Sequence, residues 1–151
     1  MNSPSAQATP HSVSASPHSK QTDGAFARHS LTGKRLRRHA DYQRAYAAAR
    51  KHQSASMSWF LAHREPADKA MARVGLTAGK VMGKAHVRNR LKRRMREALR
   101  LHTELLPAGF DIIFHPRRKV LDLEFVKLEA EVVRILEQAQ REAKQLARPS
   151  A

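Results

Sequence analysis

Hydrophobic positions in the first half of the chain follow first a helical and then a strand-like period. Four residues at the i, i+3, i+4, i+7 spacing of a helix face predict a short helix over about residues 40–52. They are Tyr42, Ala45, Tyr46 and Ala49. Residues 57–63 form a short apolar run that predicts a strand, and residues 71–77 alternate like a second strand. A turn around residues 65–68 separates the two runs, so we expect an antiparallel hairpin with a long loop.

The second half returns to helical spacing on either side of one apolar strand. A basic segment over about residues 85–102 has apolar positions at helical intervals. The apolar run at residues 110–114, ended by Pro116, predicts a buried strand. Residues 121–146 predict a last helix, with a core stripe of Phe125, Leu128, Val132 and Ile135. The order helix, two or three strands, helix, strand, helix predicts an α+β domain, in which a small sheet of about four strands packs with three helices.

Composition separates the two ends of the chain from this domain. Of residues 1–33, fifteen are Ser, Ala or Pro and very few are large and aliphatic, a composition that is typical of disordered segments. We therefore expect a disordered tail over residues 1–33, a domain over residues 34–146 and a disordered C-terminus over residues 147–151.

The charge of the chain restricts its partners more than its fold. The 151 residues include 29 Lys and Arg against 13 Asp and Glu, a net charge of +16, and no cysteine. This surplus favours nucleic acid over a membrane surface, and DNA is disfavoured because there is no helix-turn-helix or zinc motif. Disulfides and thiol chemistry are excluded. No segment has the length and hydropathy of a membrane span, so we expect a cytoplasmic protein without a membrane partner.

Half of the net charge lies in residues 80–100, where nine Lys and Arg accompany one acid, Glu97. At about 100° per residue, the apolar residues of this helix share one side and most cations lie opposite or beside it. Glu97 can pair with Arg93 or Arg100 but cannot neutralise the others. Arginine predominates, and its guanidinium suits two-pronged binding of phosphate. The apolar stripe consists of Val87, Leu91, Met95, Ala98 and Leu99.

Aromatic residues allow two interpretations. Tyr42 and Tyr46, one helical turn apart, would ordinarily be core residues, but beside a partly open sheet they would form a cleft suited to single-stranded RNA. Trp59 and Phe60 are adjacent on a strand and must point to opposite faces of the sheet. One of them should therefore be core, and the other is free to join the cleft.

Catalytic chemistry is not indicated by any motif in the chain. There is no HExxH motif, no Walker loop, no cysteine nucleophile and no pair of carboxylates at a useful spacing. The histidines are scattered, and we expect His63, His86, His102 and His115 to be structural or surface residues. The chain is thus predicted to bind nucleic acid without catalytic residues or metal ligands of its own.

Two motifs resemble the protein subunit of bacterial ribonuclease P. The first is RVGLTAGK at residues 73–80, and the second is GKAHVRNRLKRRMRE at residues 83–97, which resembles the RNR signature of that family. Arg35-Leu36, Asp41-Tyr42 and Tyr46 upstream and FDIIF at residues 110–114 downstream support the resemblance. It covers roughly residues 34–140, in the same order as in the family.

The resemblance implies a ribosomal-protein-like fold with a left-handed crossover around the RNR helix. It also implies a division of labour, in which a large catalytic RNA performs hydrolysis with Mg²⁺ that the RNA mainly holds. The protein would bind that RNA, one protein per catalytic RNA, and the 5′ leader of precursor tRNA. A ribosomal or chaperone-like RNA-binding protein without a nuclease partner is the alternative, because the basic helix would serve it equally well.

Roles for individual residues follow from the same resemblance. The residues expected to contact the catalytic RNA are Lys80, Lys84, Arg88, Asn89, Arg90, Lys92, Arg93, Arg96 and Arg100. Those expected to contact the leader are Tyr42, Tyr46, Phe60 and Arg35, with Met57 or Trp59 as alternatives to Phe60. Three positions depart from the family pattern: Val81 replaces a second loop cation, His39 stands at a usual Ser or Asn cap, and His115-Pro116 alters the end of the last strand.

Overall fold

The computed structural model describes residues 30–31, 33–64 and 71–147. The predicted tails lie outside the described residues, except for Ser30, Leu31, Gly33 and Ala147. Leu31 is buried in the main core, and its carbonyl accepts a hydrogen bond from the Lys34 backbone N–H at 2.9 Å. The packed part of the chain therefore includes a residue three positions before the expected start of the domain.

Four strands form one mixed sheet. They are β1 (Arg50–Gln53), β2 (Met57–His63), β3 (Arg73–Leu76) and β4 (Phe110–Pro116). Their order in the sheet is β1-β2-β4-β3. β2 is antiparallel to both β1 and β4, whereas β3 is parallel to β4 at the other edge. Parallel neighbours require a crossover connection, and the basic segment between β3 and β4 supplies it.

Within the described residues three α-helices accompany the sheet, and the predicted α+β class is confirmed. They are α1 (His39–Ala48), α2 (Ala85–Arg100) and α3 (Phe125–Ala147). Short 3-10 helices lie at Lys80–Met82, Thr103–Leu105 and Arg118–Asp122. Across the described ranges, none of the helices combines the length and the apolar character needed to cross a membrane.

The predicted hairpin between β2 and β3 is wrong. Strand β4 lies between them and pairs along its whole length with β2 and over residues 111–114 with β3. Residues 110–114 are all buried, and a strand that is buried on both faces is most stable with a neighbour on each side. The interior position of β4 therefore separates two runs that are neighbours in sequence.

The first helix ends earlier than its spacing predicts. Ala49 already has extended backbone angles (φ −84°, ψ 151°), and residues 50–53 form β1 instead of a last helical turn. His52 pairs with Trp59 across the strands, and their rings stack with centroids 4.1 Å apart. Cross-strand pairing and stacking here outweigh a weak local helical pattern.

The last helix begins later than predicted, at Phe125 and not at residue 121. The preceding residues form a 3-10 helix whose end is held by Arg94 of α2. Of the predicted stripe on α3, Leu128, Val132 and Ile135 are buried, whereas Phe125 is only partly buried at the edge of the core.

The two faces of the sheet are covered to different extents. Side chains of β2 alternate, so that Met57, Trp59 and Leu61 enter the main core with α2 and α3, whereas Phe60 and Ala62 point to α1. The core on the α1 side is small, with four buried members: Leu36, Ala45, Ala62 and Ile113. The ten-residue helix α1 thus leaves part of this face open to solvent.

A buried carboxylate attaches α3 to the turn between β1 and β2. Glu131 is 4% exposed. Its Oε2 accepts a hydrogen bond from the Ser56 backbone N–H at 3.0 Å and another from the Ser54 hydroxyl, and its Oε1 accepts one from the Ser56 hydroxyl at 2.7 Å. A buried charge is stable only when it is hydrogen-bonded in this way, so this contact fixes the turn on the helix.

Candidate nucleic-acid interface

Helix α2 buries one stripe and leaves its cations on the opposite side. Leu91, Met95, Ala98 and Leu99 are completely buried, as their spacing predicts, whereas Val87 in the first turns is only partly buried. The burial of this stripe fixes the rotation of the helix. The cations at the intervening positions are consequently held on a rigid surface.

The cations and Asn89 of this segment differ in exposure. Lys80, Lys84, Asn89, Arg90 and Arg93 are exposed. Arg88, Lys92, Arg96 and Arg100 are partly buried. The Arg88 Nε donates a hydrogen bond to the carbonyl oxygen of Gly83 at 3.2 Å, which draws the start of α2 onto the preceding turn.

The single acid of this surface pairs with the last arginine of α2. Arg100 Nη2 donates to the Glu97 carboxylate at 2.5 Å, and its Nε donates at 3.2 Å. The hydrogen bond from Arg100 lowers the pKa of Glu97, and the same bond raises the pKa of Arg100. The carboxylate of Glu97 is therefore bound to Arg100, and it does not neutralise the other cations of the helix.

Arg94 differs from its cationic neighbours because its side chain binds within the protein. Its Nη2 donates to the carbonyl oxygen of Leu123 at 2.5 Å and its Nη1 to that of Leu121 at 3.4 Å. These carbonyls lie at the end of the 3-10 helix before α3. Arg94 therefore joins α2 to the connection that follows β4, and it does not contribute to the exposed cationic surface.

A cleft of about 460 Å³ lies where α2 meets the chain segment before α1. Arg35, Arg37, Lys92 and Arg96 line it together with apolar side chains, and none of the described residues in its lining is acidic. Burial lowers the pKa of Arg96, and the nearby charges of Arg35 and Arg93 lower it further. Mutual repulsion of this kind is relieved when an anion binds between the cations.

Four rings form an aromatic cluster on the open part of the sheet, consisting of Tyr42, Tyr46, Phe60 and His115. Tyr46 is central, with its ring centroid 6.4 Å from that of Tyr42 and 5.1 Å from that of Phe60. It lies nearly perpendicular to Phe60, at 87°. Tyr46 is 36% exposed, which is large for an aromatic residue with three ring neighbours. A cluster with this exposure offers ring faces to a ligand.

Tyr42 lies close against the sheet at a position where β3 has a glycine. A Cβ atom added to Gly75 of β3 would lie 2.7 Å from Tyr42 Cε1 and 3.1 Å from Leu36 Cδ1. The Tyr42 hydroxyl also donates a hydrogen bond to the Leu36 carbonyl oxygen at 3.4 Å. Gly75 thus allows the ring to lie closer to the strand than any side chain would permit.

A second cleft of about 420 Å³ links the aromatic cluster to α2. Its lining includes Tyr42, Tyr46, Thr77 and Lys92. Tyr42 and Lys92 also line the first cleft, so the two clefts are contiguous. At the far side, the Lys51 ammonium lies 5.9 Å from the centre of the Phe60 ring. The rings therefore lie between cations on both sides.

Comparison with known proteins identifies this arrangement. The family model for Ribonuclease P matches residues 32–140, which is most of the chain. The chain belongs to the ribonuclease P protein family. It is 38% identical over 106 residues to the ribonuclease P protein component of Chloroflexus aggregans, a match that covers 70% of this chain and 76% of the relative. With that of Dictyoglomus thermophilum it shares 36% identity over 107 residues, covering 70% and 87%.

A solved structure of the family has the same fold. The ribonuclease P protein from Thermotoga maritima superposes with a TM-score of 0.60 at 26% identity, over 69% of this chain and 96% of that one. The resemblance stated on the two sequence motifs is thereby confirmed.

The structure brings together the residues of this chain that are predicted to contact the leader. Tyr42, Tyr46 and Phe60 share the aromatic cluster, and Arg35 lines the adjoining cleft with Tyr42. Of the alternatives to Phe60, Met57 and Trp59 are completely or almost completely buried on the opposite face. The geometry therefore favours Phe60, while the role of these residues in leader binding stays a prediction.

Sequence reasoning missed three residues of this surface. His115 was expected to be structural or on the surface, yet its ring lies 4.9 Å from Phe60 and 5.7 Å from Tyr46. Lys51 was assigned to a helix and Gly75 to a strand without a function. Strand alternation could have found His115, since it lies two residues from Ile113 on the same face, but only once the pairing of β2 with β4 was known.

The acidic residues that the structure describes do not fit a magnesium site. Across the described ranges, His, Asp and Glu side chains nowhere gather in groups of three that could hold a metal ion. Asp111, the buried acid of β4, is bound by Arg73 through two hydrogen bonds of 2.9 Å. We therefore assign no step of any reaction to a metal held by these residues.

Proposed function

We propose that this chain is the subunit of ribonuclease P that binds the catalytic RNA through α2 and the 5′ leader of precursor tRNA through the aromatic cluster. In this proposal the protein assists endonucleolytic removal of the leader, and the RNA performs the hydrolysis. One protein would bind one catalytic RNA. The proposal includes a cytoplasmic location, because bacterial tRNA precursors are transcribed there.

The continuity of the two clefts is the observation that carries this proposal. Lys92 lies between the cations of α2 and the rings of Tyr42 and Tyr46. An RNA strand held by phosphate contacts on α2 could thus extend onto the rings without leaving the protein surface. Stacking on an aromatic ring tolerates any base, which suits a leader whose sequence varies between tRNAs.

The remaining features of the cationic surface support contact with folded RNA. Arg90 and Arg93 are exposed on a helix whose rotation is fixed by its buried stripe, and Glu97 pairs with Arg100. Arginines on a rigid helix can bind phosphates in a fixed array, and the released counterions make such binding sensitive to salt.

Magnesium belongs to the RNA in this proposal. The donor set of the described protein residues does not fit it, and RNA phosphates supply oxygen ligands of the kind that magnesium prefers. The contribution of the protein would then be to hold the leader and to screen the charge of two RNA molecules that meet.

Reconstitution with the catalytic RNA of the same organism tests the proposal. Addition of the protein should promote removal of the 5′ leader at low magnesium concentration, and the protein alone should not cleave. Cleavage that is unaffected by the protein would contradict the proposal. Sequencing of copurified RNA distinguishes the alternative, since a ribosomal or chaperone-like protein would carry ribosomal RNA in place of one catalytic RNA and tRNA precursors.

A further inference from the structure

His115 lies near the end of β4, on the open face of the sheet. It is on β4, directly opposite Ser58 of β2, and its ring contacts Phe60 at 4.9 Å with an angle of 51° between the two rings. From α1, the Tyr46 ring meets it edge-on at 88°, with the centroids 5.7 Å apart. The ring of His115 thus forms one wall of the aromatic cluster.

A direct hydrogen bond joins His115 to the most exposed ring of the cluster. The distance between Tyr46 Oη and His115 Nε2 is 2.6 Å. Tyr46 lies on a helix and His115 on a strand, 69 positions apart, so the bond fixes the tyrosine ring relative to the sheet. The Tyr46 ring is 36% exposed, so this bond adds to its ring contacts with Tyr42 and Phe60 in fixing its orientation.

The imidazole is suited to this contact in its neutral form. Burial lowers the pKa of His115, and the positive charge of Lys51 on β1 lowers it further. Burial also raises the pKa of Tyr46, although a hydrogen bond with Thr77 acts in the opposite direction. The phenol therefore keeps its proton at neutral pH and can donate it to Nε2, which leaves the ring proton of His115 on Nδ1.

We propose that His115 is a positioning residue of the leader cleft, which holds the Tyr46 ring through Nε2 and extends the stacking surface with its own ring. The ligand is an unpaired base of the leader, so this inference rests on the proposed function. An uncharged ring can stack on a base, whereas an aliphatic residue at this position could not.

Substitutions at residue 115 separate the two contributions. His115→Phe keeps a ring and loses the hydrogen bond, whereas His115→Gln keeps a polar group that can reach Tyr46 and loses the ring. His115→Ala loses both. In the reconstituted holoenzyme, we expect the alanine variant to weaken binding of leader-bearing precursor tRNA about twentyfold and the other two about fivefold each.

A double-mutant cycle tests the hydrogen bond itself. Tyr46→Phe keeps the ring and removes only the hydroxyl group. We expect it to weaken precursor binding about fivefold in the wild-type background and by less than twofold in the His115→Phe background, because the bond is already absent there. Independent effects in the two backgrounds would overturn the positioning role.

Mature tRNA, which lacks the leader, serves as the control ligand. Its affinity for the holoenzyme should be unchanged in all four variants, and equal losses for both ligands would overturn the inference. If His115→Ala and His115→Phe bound the precursor with wild-type affinity, the inference would also be overturned, but the proposed function would stand. If the wild-type holoenzyme itself showed no preference for leader-bearing tRNA, the proposed function would fail and this inference with it.

Discussion

Trp59 and Phe60 are neighbours on β2, but they lie on faces of the sheet with different surroundings. Trp59 is 1% exposed beneath α2 and α3, where it stacks on His52. Phe60 is partly buried on the other face, beside Tyr46 and His115. The covered face has large apolar residues from three strands and two helices. The open face has a small core, a cation and aromatic rings.

The contrast shows how a small domain obtains both stability and a binding surface from the same strands. Alternation sends every second side chain of β2 and β4 into the main core. The residues between them need not stabilise the fold to the same extent and are available for a ligand. Ala45 of the short helix α1 packs with Ala62 and Ile113, and the two tyrosines of the same helix belong to the aromatic cluster.

The largest effect is expected from truncating the covered neighbour. Trp59→Ala should lower the free energy of unfolding by about 3 to 5 kcal/mol, because it removes a buried ring and leaves a cavity. Phe60→Ala should lower it by about 1 kcal/mol, since its ring is already partly exposed. Urea unfolding monitored by circular dichroism measures both. Similar losses of unfolding free energy for the two variants would mean that the open face stabilises the fold as much as the covered face does.

RNA binding should respond in the opposite order. Phe60→Ala should weaken binding of leader-bearing precursor tRNA by roughly 1 to 3 kcal/mol if a base stacks on this ring, with little change for mature tRNA. Trp59→Ala should change both affinities equally, through the folded fraction. A leader effect of Trp59→Ala in its fully folded population would contradict the division between the faces.

Local periodicity was sufficient to predict most elements but not their arrangement. The buried stripe of α2 and the strands at residues 57–63 and 110–114 follow from spacing alone, because strong amphipathic patterns report burial directly. The pairing of β3 with β4 could not be derived from local sequence. It depends on which strand is stabilised most by having a neighbour on each side. Strand β1 was missed because its sequence, RKHQ, has no apolar strand pattern. It is a strand because it pairs with β2.

The candidate site divides in the same way. The cations of α2 were recognisable from sequence because charge and helical phase are local properties. The aromatic cluster joins α1, β2 and β4, and its members are up to 73 positions apart, from Tyr42 to His115. Tyr42 and Tyr46 were therefore ambiguous until the family resemblance was considered, and His115 was not recognised.

Acid should destabilise the covered face through Glu131. Burial raises the pKa of this carboxyl, but hydrogen bonds from Ser54 and Ser56 and the charge of Arg134 outweigh burial, so its pKa lies below the ordinary value of 4.5. A group with a lowered folded-state pKa stabilises the fold above its unfolded-state pKa, and this stability is lost as pH falls through the folded-state value. The loss is therefore expected below about pH 4.5.

Glu131→Gln is the variant that checks this linkage. It should lower the free energy of unfolding at pH 7 by about 1 to 3 kcal/mol, because an amide cannot accept all three hydrogen bonds. The variant should also lose less stability than the wild type between pH 5 and pH 3. Urea unfolding across this pH range measures the difference. Parallel curves for the two proteins would show that other carboxylates cause the acid sensitivity.

Gly75→Ala should damage the open face with little effect on the covered one. The added Cβ would lie 2.7 Å from Tyr42 Cε1, so the ring must move away from β3. We expect a loss of about 1 kcal/mol in unfolding free energy and a several-fold weaker affinity for leader-bearing precursor tRNA. As a control, Val126→Ala shortens a side chain that is 73% exposed on α3 and lines neither cleft, so it should change neither quantity. Wild-type leader affinity in Gly75→Ala would show that the position of Tyr42 does not matter for binding.

Arg93 and Arg94 are a second pair of neighbours in sequence. Substitutions of them are expected to have the smallest effect on stability and to differ from each other in the salt dependence of RNA binding. Arg93 is exposed on α2, whereas Arg94 donates to the carbonyls of Leu121 and Leu123. Removal of one phosphate contact lowers the slope of log affinity against log salt concentration by about 0.7 to 0.9. Arg93→Ala should show this change with the catalytic RNA, and the double variant with Arg90→Ala should show about twice as much.

Arg94→Ala is the matched control, because it removes the same charge from the next position. It should leave the salt slope unchanged and lower the thermal midpoint, since two carbonyl oxygens lose their donor. Filter binding at several salt concentrations and thermal unfolding measure the two quantities. If both variants lowered the slope equally, net charge and not the face of the helix would determine RNA binding. A difference between the two variants would show that α2 resembles β2. In both elements, one of two neighbouring residues would bind RNA and the other would stabilise the fold.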